Sequence, residues 1–194
     1  MSTATADTLE TQDLLTIDDL ANVVGDTPGE LIDGRFVPMP PTGWPHARAE
    51  VKVSSRLARF AEVSGLGTVL GGEAGIVIRR DPDTLRGADV AYISRERLAQ
   101  ACSQGYLDVA PELIVEIVSP NDRWTDLTAK LEDYFSIGVD LVWVVDPQRR
   151  RVSCYRSPTD LALLGPADTL TAEPILPGFM LPVSELFDCD DNGA

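Results

Sequence analysis

The sequence predicts a mixed α/β (α+β) domain, one sheet flanked by helices, and three observations carry that expectation. PELIVEIVSP (111–120) sets five aliphatics around Glu116 between two prolines, the composition of a buried central strand. DLVWVVDP (140–147) is a second apolar run of strand length. Between them, residues 123–137 carry Trp124, Leu127, Leu131, Tyr134 and Phe135 at helical spacing, with Gly138 as the stop. Strand, helix and strand imply a right-handed crossover and two parallel strands.

The other elements follow in chain order. Residues 1–15 read as a disordered acidic tail. Thr16 and Asp19 form a capping-box start to a short helix through about Val24. GELIDGRFVPM (29–39) is a hairpin signal, because Asp33-Gly34 suits a type I′ turn. PPTGWP is a rigid loop, and 46–63 is helical with Val51, Leu57, Ala58 and Ala61 on one side, closed by Gly65-Leu66-Gly67. GTVLGGEAGIVIRR reads as one or two strands, DPDTLRG as a loop, ADVAYI as a short strand and SRERLAQA as a short helix capped by Ser94. Segments RVSCYR, LALLG, DTLTA and VSELF read as an antiparallel edge and a closing turn of helix, followed by a second acidic tail at 188–194. A single domain over 16–187 results.

Composition bounds the function. No apolar run is long enough to span a bilayer, and the N-terminus lacks the basic and apolar parts of a secretory signal. Three cysteines without a CxxC pair argue against a disulfide framework or a cysteine zinc site, and a reducing cytoplasm fits. One histidine excludes any two-histidine site. The net charge of −15 argues against nucleic acid until its distribution is seen. Residues 1–34 hold eight acids and no base, and 173–194 five acids and no base, so the segment between them nets only −2. All 16 bases lie between Arg35 and Arg156, and 14 of them are Arg, the better phosphate fork.

Glu116 is the most informative side chain. A carboxylate inside an apolar strand must be paired, protonated or bound to a metal, unless it sits at the strand's exposed end or bonds a nearby Arg. Asp89 repeats the pattern in ADVAYI, sharing a face with Ala91 and Ile93; as a single residue it also suits a turn cap at a strand start. Together, two inward acids on neighbouring strands suit Mg²⁺ or Mn²⁺, with a backbone carbonyl at Ile117 as a further ligand. Lys130 lies on the flank of the helix after the Glu116 strand, placed to reach that strand's end or simply to snorkel. Lys52, the other lysine, has no expected contact there.

Glu30, His46 and Glu73 are each open to two readings. Glu30 opens a hairpin strand and is either another ligand or acid–base group, or an exposed strand acid. His46 begins a helix and touches phosphate or water, or is structural. Glu73, between glycines, aims at the same cleft or marks a turn. Ser119 and Asp122 most simply N-cap the Lys130 helix.

These residues resemble the PD-(D/E)XK, restriction-endonuclease-like nucleases and, within them, the Uma2 family of candidate endonucleases. The similarity covers a core of about 28–156: GELIDGRFVPMP, His46 opening its helix, the Asp89 strand, PELIVEIVSPNDR, the Lys130 helix with Tyr134, and IGVDLVWVVDP. The resemblance implies a mixed sheet with an N-terminal β-hairpin extension and metal-dependent phosphodiester cleavage. Asp89 takes the motif Asp, Glu116 the Glu and Lys130 the Lys. Two positions depart from the pattern: Ala88 replaces the motif Pro, and Val118 stands where a plain E-x-K has its lysine, so the lysine comes from the helix. The resemblance also implies a DNA substrate and a homodimer, its C-terminal third near the interface because residues 151–164 read as an edge needing cover. The near-neutral body and Val118 support a second reading, a nuclease-like fold that binds nucleic acid or protein without cutting.

Overall fold

Asp33 and Gly34 both take positive φ, 50° and 73°, and so join β1 (Gly29–Ile32) to β2 (Arg35–Pro38) through the expected tight turn. The structure is a computed structural model describing residues 14–25, 27–120 and 122–188. The tails expected at 1–15 and 188–194 therefore lie almost wholly outside the described residues; of the first, Leu15 already donates its N–H to the Gly34 carbonyl at 2.8 Å. The Thr16/Asp19 capping box is present, opening a 3₁₀ turn that runs into α1 (Leu20–Val24).

α2 (Trp44–Ser64) starts with Pro45 in its first turn and ends at Gly65, whose φ of 66° is a left-handed cap. Its buried stripe is His46, Ala49, Val53, Leu57 and Ala61, spaced by three or four residues. Val51, expected on that side, is exposed. β3 (Gly67–Arg79) is one strand with an internal bulge, antiparallel to β4 (Thr84–Ser94). β4 corrects the expected loop at DPDTLRG: the turn occupies only its first part, and Thr84–Gly87 are already buried strand. Ser94 caps α3 (Arg95–Leu98) by accepting from the Arg97 N–H.

β5 (Leu113–Ile117), α4 (Trp124–Ser136) and β6 (Leu141–Asp146) form the parallel crossover unit. Trp124 departs from the expected stripe and is exposed, while Leu131 and Tyr134 are buried. Ser119 and Asp122 do not cap α4, whose N-cap is Arg123; the Asp122 carboxylate instead accepts from the Ser119 N–H at 2.7 Å, closing the loop before it. β7 (Arg151–Tyr155) and β8 (Leu161–Leu164) complete the sheet antiparallel; β9 (Thr169–Ala172), β10 (Leu176–Pro182) and α5 (Val183–Phe187) follow. No described helix is long and apolar enough to cross a membrane. Cys102 and Cys154 are free thiols; Cys189 lies outside the described residues.

The sheet order is β2-β1-β4-β5-β6-β7-β8, with β3 on the other edge of β4. The N-terminal hairpin thus extends the sheet at one end, through β1 on β4. β3 occupies one edge of β4 along its whole length, so β1 and β5 must share the other. β1 meets β4 at Leu85, and β5 meets it at Val90–Tyr92. Between them, opposite Arg86–Asp89, the sheet is open on that edge, and every candidate acid converges there.

α2 and the small β9–β10 sheet cover one face, over Val90, Leu113, Val115, Trp143 and Val145. α4 covers the other, over Ile114, Val142 and Val144.

Candidate active site

The opening in the sheet leaves main-chain donors that strand pairing would otherwise satisfy, and carboxylates take them. The Gly87 N–H donates to Glu30 at 3.0 Å, and the Ile117 N–H donates to Asp89 at 2.6 Å. Asp89 sits next to Val90, which pairs with Val115, so register places it opposite Glu116. Strict alternation nevertheless fails at Asp89. Ala88 and Ala91 both pack under α4, whereas Val90 packs on the α2 side. The cause is the bulge in β3: Gly71 pairs with Val90 and Ala74 with Ala88, so Gly72 and Glu73 together oppose Asp89. Both have positive φ, 73° and 59°. A Cβ on Gly87 would lie 3.2 Å from the Glu73 carboxylate, a tight contact that glycine relieves.

Lys130, on the second turn of α4, reaches into the opening, donates to Glu116 at 2.7 Å and forms an ion pair with Glu30 at 3.1 Å. Tyr134, one turn further on, donates to the second Glu116 oxygen at 2.7 Å. Arg86 is buried and bridges two elements: it meets Glu30 of β1 at 2.8 Å and Asp133 of α4 at 2.7 Å. His46 Nε2 lies 3.3 Å from Asp89, and its Nδ1 is buried without a hydrogen-bond partner among the described residues.

Electrostatics follow from this crowding. Burial pushes the Glu30 carboxyl up, but Lys130, Arg86 and the Gly87 N–H together hold it below the usual carboxylate range. Burial likewise opposes ionisation of Asp89, and the His46 bond and charge, Lys130 and the Ile117 N–H outweigh it. His46 is disfavoured as a cation by burial, yet Asp89 raises it. Lys130 is kept charged against burial by Glu116 and Glu30. Glu116 is the acid left over: burial and the nearby Asp89 push it up to about 8, although Lys130 and Tyr134 bond to it. Glu73, half-buried and repelled by Asp89, rises to about 7. Five carboxyl groups, Asp133 included, thus surround two permanent cations, Arg86 and Lys130, and the surplus negative charge must be met by protons or by another cation.

The chemistry of these donors fits a hard divalent ion. Asp89 and Glu116 offer only oxygen, from adjacent strand positions, in a region with more acid than base. Among the described residues no group of three or more His, Cys, Asp or Glu side chains is arranged to hold an ion. An ion held there would take only a few ligands from the protein and the rest from water and phosphate, as Mg²⁺ does.

The structure brings together Asp89, Glu116, Lys130, Glu30 and His46, with Ile117 at the same strand end. Glu30 is no exposed strand acid, and Glu73 is not merely a turn residue. Sequence reasoning missed Arg86 and Asp133: once Thr84–Gly87 is taken for a loop, an arginine there has no reason to be paired. Lys52 instead donates to the carbonyls of Glu185 and Asp188, away from this cluster. A cleft of about 690 Å³ lies along the outer side of β3 beside Tyr106 and Leu107, has no charged lining and does not coincide with the acids.

Comparison with known proteins agrees with this architecture. A crystal structure from Anabaena variabilis, described as "a putative nuclease belonging to DUF820", superposes with a TM-score of 0.71 at 18% identity, covering 83% of this chain and 90% of that one. At that identity the likeness establishes the fold, a restriction-endonuclease-like mixed sheet flanked by helices. No curated protein matches the chain. A family model described as "Putative restriction endonuclease" matches residues 25–184, which takes in the whole β1–β10 framework and every residue of the cluster, and the chain belongs to that family, Uma2.

Proposed function

We propose that this protein is a metal-dependent endonuclease that hydrolyses phosphodiester bonds of DNA at the opening between β1 and β5. Family and fold point to a nuclease. The observation that carries the finer reading is the convergence of Asp89, Glu116 and Lys130 at one break in the sheet, with more carboxyl groups than cations. Asp89 and Glu116, with the Ile117 carbonyl, would hold Mg²⁺ or Mn²⁺. Such an ion supplies Lewis acidity, neutralising phosphate charge and lowering the pKa of water.

The chain's own groups do the rest. Glu30 and Glu116 fix the Lys130 ammonium at the opening, where it stabilises the attacking water or the charge developing on phosphate. Tyr134 orients Glu116 through its second oxygen. His46 and the Ile117 N–H fix the Asp89 carboxylate. We further propose that the protein acts as a cytoplasmic homodimer. β8 ends the sheet with Leu161 and Leu163 exposed, an edge that a second copy would cover; sedimentation showing only monomer at tens of micromolar would refute it.

The test is a metal titration with plasmid and single-stranded DNA. Cleavage should appear with Mg²⁺ or Mn²⁺ and disappear in Lys130→Ala, whose metal binding persists by calorimetry. Full-rate cleavage by Lys130→Ala would overturn the assignment. Inactivity of the wild type under all metals and substrates would favour the binding-module reading, which the saturation of Lys130 by two carboxylates also suits.

A further inference from the structure

A second group of side chains lies at the same end of the sheet, outside the acid cluster. Arg48 and Lys52, on successive turns of α2, both donate to the Asp188 carbonyl oxygen, Lys52 at 2.6 Å. Arg150, in the turn between β6 and β7, donates to the Asp188 carboxylate and lies over the Phe187 ring, 5.9 Å from its centroid. Beside them opens a cleft of about 210 Å³ lined by Trp44, Arg48, Pro147, Arg150 and Phe187. Trp44 is 73% exposed, an unusual state for an indole within the first turn of a long helix.

Three features mark this cleft as a binding site. The first is position. Trp44 and Arg48 lie two residues to either side of His46, which meets Asp89. Pro147 follows β6 at the end where Val145 pairs with Ile117. The second is chemistry: guanidinium forks suit phosphate, and an open indole face suits a base of any sequence. The third is that an anion already sits there. The Asp188 carboxylate meets Arg150 where both side chains are about half exposed, 47% and 56%, so the contact is weakly held and readily displaced.

We propose that this cleft is a nucleic-acid subsite flanking the cleavage centre. Arg48 and Arg150 take a backbone phosphate, Trp44 stacks an unpaired base, and the Asp188 carboxylate holds the phosphate position until the strand displaces it. The ligand class rests on the nuclease reading; the subsite itself does not require cleavage.

The test is binding of a fluorescein-labelled single-stranded oligonucleotide to the full chain in EDTA, where no cleavage intervenes. Asp188→Ala should tighten binding about threefold to tenfold. Arg150→Ala should weaken it about tenfold and lower the slope of log K against log salt by about one. Trp44→Ala should weaken it by a similar factor, and the loss of tryptophan fluorescence on binding should shrink in Trp44→Phe. Arg95→Ala removes an equal charge on exposed α3 and measures the general electrostatic loss. If Arg150→Ala and Trp44→Ala fall within twofold of Arg95→Ala, or Asp188→Ala binds no better than wild type, the subsite is wrong while the cleavage reading stands. If no variant binds at all, the subsite falls outright; cleavage by the wild type in Mg²⁺ then decides the nuclease reading separately.

Discussion

The two faces of the central sheet differ in kind. Towards α2 and the β9–β10 layer the sheet presents Val90, Leu113, Val115, Trp143 and Val145, with no ionised side chain among them. Phe179 locks that side, stacked on Trp143 at 5.9 Å and edge-on to Phe60 at 5.4 Å. Towards α4 the neighbouring residue Glu116 meets Lys130 and Tyr134 within a single helix turn of Leu131. Val115 and Glu116 are consecutive, yet one serves cohesion and the other chemistry. The lesson is a division of labour: an apolar face large enough to hold the fold lets the opposite face carry buried ions that contribute little net stability.

The sharpest way to break this comparison is through cleavage. Lys130→Ala should cost at least about 10²–10³ in rate, the usual loss for one preorganised electrostatic group. Glu116→Gln should remove metal binding as well, read by calorimetry with Mn²⁺. Glu116→Gln should unfold near the wild-type temperature and Lys130→Ala below it, because removing one partner of a buried ion pair leaves the others unpaired; a collapse of the fold in either would show that the α4 face is cohesive after all.

The converse variant belongs to the other face. Leu57 is fully buried in the α2 cluster, and Leu57→Ala should cost about 2–5 kcal/mol in urea unfolding. The folded fraction should still cleave at the wild-type rate per molecule.

A pH series sharpens the contrast. Burial pushes Glu116 up to about 8 and Glu73 up to about 7 in the folded, metal-free protein, both above the ordinary glutamate value of 4.5. Between those limits the folded state holds protons that the unfolded chain has released. The stability these groups give is complete below about 4.5 and is lost as pH rises through 7 and 8. The denaturant midpoint should therefore fall over that window, and Glu116→Gln should flatten part of the decline. A midpoint that rises from pH 5 to 8 in Glu116-dependent fashion would contradict the burial argument. At the small end, Arg56→Ala removes an exposed pair with Glu185 and should change stability by less than about 1 kcal/mol.

What was legible in the sequence follows the same physical line. β5, α4 and β6 are readable because their apolar patterns are uninterrupted and Gly138 punctuates them. The β1–β2 turn is readable because Asp-Gly accepts two positive φ values. Glu116, Asp89 and Lys130 stand out as charges within or beside apolar runs. Glu73 does not, since its direction depends on a bulge set by strand register, and Gly-Gly-Glu in isolation resembles a turn. Arg86 was hidden by the Asp-Pro-Asp signal just before it, which marks a real turn but not its length. The buried stripe of α2 was misread because His46 is polar, and its partner Asp89 lies forty-three residues away in the chain.

The opening in the sheet gives Glu30 and Asp89 a second occupation. Their carboxylates cap the Gly87 and Ile117 N–H groups, completing hydrogen bonds that a neighbouring strand would have made. A descendant of this protein that had lost catalysis would still be under pressure to keep both acids, because dropping either strands a buried backbone donor. Their presence in a related sequence is thus a mark of ancestry in the fold, whereas the lysine on α4, which caps no backbone group, is the better badge of a working enzyme.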